Sequence, residues 1–330
     1  MLSGVGAQGR GTRTSGLGIA LMLASVAAFT VMNALVKDVR AHGMSTLEVM
    51  VWRCAPGLPL LWLELRLRGV PLRPRRPRVV AMRTMFGCVA MTANFWTVHA
   101  LALVQHTVVH LTQPVFVALA SPAILHERLR PAAVGALVLA LCGATVVLLP
   151  SDALAIGALL HTVAVPLLPG AVGLLSALSS AMAHITLRLA TASEVPARMD
   201  RDAPPDAPAT VVFHFTAAVS IAGLVLGLAR GDFRSLPADL SLSGTLARLG
   251  ALAGLGLVGQ LAMSSAYARA SAPVVAIVAY AAIPISSLLD AWLWQTPLGW
   301  TTWVGAAIMT GAGVLLLLAR GPGQRVGSTT

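Results

Sequence analysis

The feature that most constrains the fold of this chain is a series of long apolar runs with few charged side chains. From Pro131 to Leu149, for example, no side chain is charged. A helix needs about 20 mostly apolar residues to cross the roughly 30 Å hydrocarbon core of a bilayer. The chain is 57% hydrophobic and 11% charged, whereas a soluble domain carries about 25% charged residues. We therefore predict an all-α integral membrane protein.

Ten runs are long enough to be transmembrane helices. They are predicted at 16–36, 45–65, 79–101, 104–125, 131–149, 166–190, 209–229, 246–267, 272–294 and 298–319. Because the first run can itself span a bilayer, we predict no cleavable signal peptide. Cytoplasmic tails are expected at 1–15 and 320–330, and a connecting loop at 150–165. A Pro- and Asp-rich cytoplasmic loop at 191–208 has the composition of a disordered segment.

The two halves of the chain repeat each other weakly. At a shift of 170 residues, Pro114 falls on Pro284 and Gly143 on Gly313. Each half, 16–149 and 166–319, contains five predicted helices, and an odd number inverts the second half relative to the first. Two inverted five-helix repeats are the architecture of many secondary transporters, with the substrate near the bilayer midplane.

The distribution of Lys and Arg predicts the orientation. With a cytoplasmic N-terminus, the inside segments hold sixteen Lys and Arg residues and the outside segments hold four. Cytoplasmic loops of membrane proteins carry such an excess, so both termini are predicted in the cytoplasm. The net charge of +11 is thus explained by topology, and no nucleic-acid partner is predicted. The three cysteines have no metal-ligand spacing, and no metal or cofactor is expected.

Polar residues within membrane spans are candidates for function, because they are expensive to bury in a bilayer. His110 and Tyr280 are equivalent in the repeat, and each lies four residues before a proline. A proline removes a helical hydrogen bond and displaces the carbonyl four residues earlier. We predict that His110, Tyr280 and Gln113, which lies one turn from His110, line a central substrate site. The alternative is a kinked helix whose polar side chains only contribute to packing and have hydrogen-bond partners within the protein.

Further candidates for the substrate site lie in other spans. At a shift of 151 residues Asn33 falls on His184, so these two residues form a second quasi-symmetric pair. Gln260 and Asn94 are also polar residues in apolar surroundings. Trp96 has the aromatic face that can stack on a ligand, although a tryptophan near a helix end is often an interface anchor.

Two charged residues have other predicted roles. Asp290 is the one acid deep in the apolar part of the second half, and it is a candidate for proton coupling or gating unless it is simply hydrated at the outer face. For Arg53 we favour a structural ion pair, with Glu48, Glu64 or an acid on another helix, over binding of a substrate carboxylate. The small number of charges within the spans favours a ligand that is not multiply charged.

Four segments of the sequence resemble a known family. They are FTVMNALVKDV, EVMVWRCAPGLPLLWLEL, ERLRPAAVGALVLALCGATVVLL and YARASAPVVAIVAY. Over residues 16 to 319 the chain resembles ten-helix EamA-type members of the drug/metabolite transporter superfamily. The resemblance implies a carrier for small metabolites or drugs in the bacterial inner membrane, coupled to protons or working by exchange. It also implies a gating role for Glu127, although the second half has Gln295 or Pro297 where the family repeats this acid.

The resulting prediction is an alternating-access carrier, with export slightly favoured over uptake of a metabolite or vitamin. The expected partners are a small-molecule substrate and the lipid bilayer, and the protein is expected to be a monomer or homodimer. The chain lacks the sequence motifs of common enzymes, so no catalytic residue is predicted. A membrane-embedded enzyme using His184 or Asp290, and a passive channel, are the alternatives.

Overall fold

The computed structural model describes residues 16–100, 109–110, 112–125, 131–147, 167–193, 203–233, 241–295 and 300–318. Within these ranges the chain forms helices and no strand. The α-helices are α1 (Gly16–Ala41), α2 (Thr46–Cys54), α3 (Gly57–Leu67), α4 (Pro77–Ala100), α5 (Thr112–Ile124), α6 (Pro131–Val147), α7 (Leu167–Thr191), α8 (Pro208–Arg230), α9 (Leu242–Arg269), α10 (Ala272–Val278), α11 (Ala282–Trp294) and α12 (Trp300–Leu318). A 3-10 turn at Ala279–Ala281 joins α10 to α11. The all-α prediction is confirmed for this part of the chain.

Within the described ranges, five helical segments are long and apolar enough to cross a membrane. They are Gly16–Ala41, Leu167–Thr191, Pro208–Arg230, Leu242–Arg269 and Val274–Leu293. Helix is also present, within the described ranges, in each of the other predicted spans. The division of the chain into ten membrane crossings stays a prediction.

Short polar residues, proline and glycine set several helix ends. At the start of α2, Ser45 Oγ accepts a hydrogen bond from Glu48 N–H at 3.1 Å, and Glu48 Oε2 accepts one from Ser45 N–H at 2.7 Å. This capping box satisfies two N–H groups near the helix start. Pro208 opens α8, and Gly231 ends it in the left-handed conformation, at a φ of 65°. A residue without a Cβ adopts this conformation most easily.

Long antiparallel helix pairs form the frame of the protein. Helix α1 packs along α9, α4 along α7, and α6 along α12. In the α1–α9 pair, Gly18 lies beside Ala270 at one end, and at the other end Arg248 Nε donates to Asp38 Oδ2 at 2.7 Å. The largest apolar core cluster lies among α1, α7, α9 and α10. These pairs bring residues from both halves of the sequence into one centre.

The segment between α3 and α4 is held against the connection between α7 and α8. Asp206 is 4% exposed, and its carboxylate accepts the backbone N–H groups of Arg75 at 2.6 Å and Arg76 at 3.0 Å. The Arg76 guanidinium donates to the carbonyl oxygens of Ala203 and Leu189. The predicted disorder of 191–208 is therefore wrong for residues 203–207, because their polar groups have protein partners. Residues 194–202 lie outside the described ranges.

Candidate solute-binding site

The second predicted span is broken beside a buried arginine. Helix α2 ends at Cys54 and α3 begins at Gly57, with Pro56 between them. A proline lacks the N–H that would continue the helical hydrogen bonds. Arg53 lies in the last turn of α2 and is 7% exposed. Its charge is close to the partial negative charge of a helix C-terminus, an arrangement that is favourable for a cation.

The side-chain contacts of Arg53 are made with sulfur and an aromatic ring. Its Nε donates to Met32 Sδ at 3.0 Å and its Nη1 to Met91 Sδ at 3.1 Å. The guanidinium carbon lies 5.6 Å from the centre of the Phe29 ring. A thioether is a weak, uncharged acceptor, so these contacts leave the charge of Arg53 unneutralised.

The ion pair predicted for Arg53 is absent from the described side chains. Glu48 caps α2 through Ser45, and Glu64 pairs with Arg68 at 3.4 Å. Among the carboxylates that the structure describes, none lies within 4.0 Å of the Arg53 guanidinium.

Another buried arginine lies on α4. Arg83 is 3% exposed, and its guanidinium carbon lies 4.6 Å from the centre of the Phe215 ring. Its Nε and Nη1 have no hydrogen-bond partner among the described residues. Gly87, one turn further along α4, leaves space for this guanidinium, because a Cβ there would overlap both Arg83 Nη1 and Phe215.

A small cavity of about 10 Å³, room for about one water molecule, lies between α2, α3, α8 and α9, at the break after Arg53. Arg53, Phe215, Thr216 and Gln260 are among the residues that line it. Gln260 is 8% exposed, and its Oε1 has no hydrogen-bond partner in the described part of the chain. The structure thus brings Gln260, a predicted site residue, to the same cavity as Arg53.

Gln113 and His184 are in contact. The sequence predicted each of them as a site residue, for different reasons. Gln113 Nε2 and His184 Nδ1 are 2.6 Å apart, a distance at which the amide donates to the ring nitrogen. The His184 ring stacks on Tyr267, with ring centres 5.0 Å apart. Residues of α5, α7 and α9 thus form a second polar group.

Tyr280 lies in a different packing environment. The residue lies in the 3-10 turn between α10 and α11, four residues before Pro284. Its side chain is 3% exposed and packs with Ala140 of α6 and Met309 of α12. His110 is half-buried, just before α5. Substrate binding by these two residues stays a prediction.

The other predicted residues do not join the two central groups in the described structure. Asn33 and Trp96 are exposed, and Asn94 is half-buried. Glu127 lies outside the described residues, as does the side chain of Asp290. Their predicted roles in substrate binding, gating and proton coupling remain open.

Arg83 is the residue that sequence reasoning missed. It lies near the beginning of a span, seven residues into α4, where an arginine usually extends to the membrane interface. The one signal was Gly87, since a glycine one helical turn away leaves room for a large side chain to lie along the helix. Phe215, which contacts Arg83 and lines the cavity, had no distinguishing pattern.

Comparison with known proteins finds a family match in the first half of the chain. Residues 16–149 match the EamA-like transporter family. The pseudopaline exporter CntI of Pseudomonas aeruginosa, in strains UCBPP-PA14 and PAO1, is 30% identical over 132 residues, which are 39% of this chain and 46% of the exporter. The chain thus matches about half the length of these curated relatives. The family match and the apolar helices show a multi-pass membrane protein.

A solved crystal structure has a similar fold along most of the chain. The TM-score is 0.70 at 18% sequence identity, and the match covers 91% of this chain and 99% of the other. At this identity the similarity shows the fold alone.

Proposed function

We propose, from the membership of residues 16–149 in the EamA-like transporter family, that this chain is a secondary transporter that works by alternating access. In this proposal a small solute binds at the centre, between two inverted five-helix halves. The halves rock against each other and expose the site first to one side of the membrane and then to the other.

The observation that carries the proposal is the reciprocal packing of the two halves. The first helix of the first half, α1, packs on α9, the third predicted span of the second half. The first helix of the second half, α7, packs on α4, the third predicted span of the first half.

One hydrogen bond recurs in both of these pairs. Ser25 Oγ donates to the Gly259 carbonyl at 2.8 Å, and Ser176 Oγ donates to the Ala90 carbonyl at 3.0 Å. Ser25 and Ser176 are equivalent at the same shift of 151 residues that relates Asn33 to His184. Recurrence of the packing and of the bond supports an inverted repeat.

The placement of the site follows from the broken helices. At the break between α2 and α3, Ala55 and Pro56 keep right-handed helical backbone angles, so the chain is kinked there, and carbonyl groups freed by a proline at membrane depth are satisfied in protein or beside a cavity. The break after Arg53 lies at the cavity that Gln260 and Phe215 line. Discontinuous helices are where secondary transporters bind their substrates. We therefore place the solute beside Arg53, Arg83 and Gln260, with Gln113 and His184 nearby.

The orientation of the chain in the membrane and the direction of transport are parts of the same proposal. The excess of Lys and Arg in the segments predicted to lie inside supports cytoplasmic termini in the inner membrane. The relative's name, an exporter, supports export over uptake. We propose coupling to protons or exchange, with Glu127 and Asp290 as candidates for coupling and gating.

Exchange in proteoliposomes tests this function. Purified protein is reconstituted into vesicles preloaded with an unlabelled solute, and entry of the same labelled solute is measured for amino acids, carboxylates, nucleosides and amines. We expect saturable exchange of at least one solute. Gln260→Leu should slow it at least about tenfold, because a hydrogen bond to the solute is lost. Thr145→Val, an exposed change on α6, should leave it unchanged. A conductance that does not saturate, or no exchange of any solute, contradicts the proposal.

A further inference from the structure

We infer that the solute carries an oxyanion, a carboxylate or a phosphate, and that Arg83 and Arg53 are the residues that bind it. The inference rests on the proposed function, since it names the chemical class of the solute that this carrier would move.

The first argument is the state of Arg83. Two of its donor nitrogens, Nε and Nη1, are buried without a hydrogen-bond partner in the described structure, and the residue is 3% exposed. A buried charge is normally paired, and buried donors are normally hydrogen-bonded. Nε and an adjacent amino group of a guanidinium match the two oxygens of a carboxylate or phosphate. The unpaired edge of Arg83 is therefore suited to an oxyanion.

The second argument is that Arg53 adds another cation at the same centre. Its nitrogens contact Met32 and Met91 through sulfur, which supplies weak hydrogen bonding and no opposite charge. Phe215 links the two arginines, since its ring contacts the Arg83 guanidinium and lines the cavity beside Arg53, and like charges close together in a buried site repel each other. A bound anion would convert this repulsion into attraction to both arginines.

The third argument is the shared surroundings of the two arginines. Phe215 stacks on the Arg83 guanidinium and lines the cavity together with Arg53. Gln260 reaches the same cavity, with its Oε1 buried and unpaired in the described structure. In this conformation the cavity has room for about one water molecule, and Arg83 adjoins it through Phe215. Once the helices move apart, a solute with an anionic end and a hydrogen-bond donor would satisfy the arginines and Gln260 together. The described carboxylates are engaged elsewhere, Asp38 with Arg248 for example.

The charge of the solute is tested by thermal unfolding of the purified full chain and by exchange in proteoliposomes. The probes are charge pairs of similar size: glutarate and glutaramide, succinate and succinamide, and glycerol 3-phosphate and glycerol, with putrescine as a cation. We expect saturable stabilisation and exchange with at least one oxyanion and with none of the uncharged or cationic probes. Because carboxylate and phosphate probes are tested separately, the result shows which of the two kinds of oxyanion binds.

Variants assign the binding to the arginines. Arg83→Gln and Arg53→Gln should each weaken binding of the active oxyanion by about 10-fold to 100-fold, the loss expected for a hydrogen bond to a charged group. Arg66→Gln, an exposed arginine on α3, should leave binding unchanged. If Arg83→Gln does not fold, Arg83→Lys, which keeps the charge but not the paired donors, replaces it and should weaken binding in the same direction.

The outcomes separate this inference from the proposed function. If an uncharged or cationic probe is exchanged and no oxyanion is, the inference is overturned, while the proposed carrier function still stands. Oxyanion binding that survives both arginine variants also overturns it. If no probe of any charge binds or exchanges, the proposed function fails, and the inference fails with it.

Discussion

Replacing Arg83 by methionine should raise the stability of the unliganded protein and abolish its transport of an oxyanion. Substitution of buried ionic groups by apolar residues of similar volume often stabilises a protein by about 1–4 kcal/mol. Arg83 is 3% exposed, and two of its nitrogens lack a partner among the described residues. The methionine would remove that unpaired charge and keep the contact with Phe215. Thermal unfolding in detergent, with and without the active oxyanion, measures both effects.

Arg248 provides the matched control on α9. Its Nε donates to Asp38 at 2.7 Å, and both side chains are about one-third exposed. A partly exposed ion pair of this kind contributes about 0–1 kcal/mol, so Arg248→Met should lower stability slightly. The two substitutions are thus expected to have opposite signs. A loss of stability in Arg83→Met that exceeds the loss in Arg248→Met would mean that Arg83 has a structural partner.

Substitution of Gly143 by valine should destabilise the protein by about 3 kcal/mol, the upper part of the range for overpacked cores. Helices α6 and α12 are in close contact at this residue. A Cβ on Gly143 would lie 2.9 Å from the Gly305 carbonyl oxygen and 2.8 Å from Met309 Cγ. Because one of these contacts is with backbone, a rotation of side chains cannot relieve it. Small residues at such positions allow membrane helices to pack closely.

Gly135, on the same helix, is the control for this substitution. A Cβ there meets no described atom within 4 Å, so Gly135→Val should change the free energy of unfolding by less than about 1 kcal/mol. Melting temperatures of both variants in the same detergent make the comparison. Equal effects at the two positions would show that helix propensity, rather than close packing of α6 and α12, determines the result.

The apolar runs predicted helices well because burial in a membrane leaves a simple compositional signal. The pairing of Gln113 with His184, and the position of Gln260 at a cavity, agree with the rule that polar residues in spans cluster in the protein interior. Arg53 was found as a buried charge, but its sulfur neighbours come from α1 and α4. No local pattern could have predicted them, because they are contacts between distant parts of the chain.

Arg83 and Asp206 show why the burial of some charged side chains could not be predicted from the sequence. Arg83 has the sequence position of an arginine at a membrane interface, and its burial depends on Gly87 and on Phe215 of another helix. Asp206 lies in a segment with the composition of a disordered loop. It is ordered because it accepts the backbone N–H groups of Arg75 and Arg76, more than a hundred residues earlier.

The most direct test of alternating access is whether position 260 can be reached from both sides of the membrane. The three native cysteines are replaced by alanine, and a membrane-impermeant thiol reagent is applied to right-side-out and inside-out vesicles. Gln260→Cys is predicted to react from both sides. Arg73→Cys and Ser243→Cys, exposed positions at opposite ends of the helices, should each react from one side only, and from opposite sides. Reaction of Gln260→Cys from a single side, or from neither, would contradict a carrier with its solute site between the two halves.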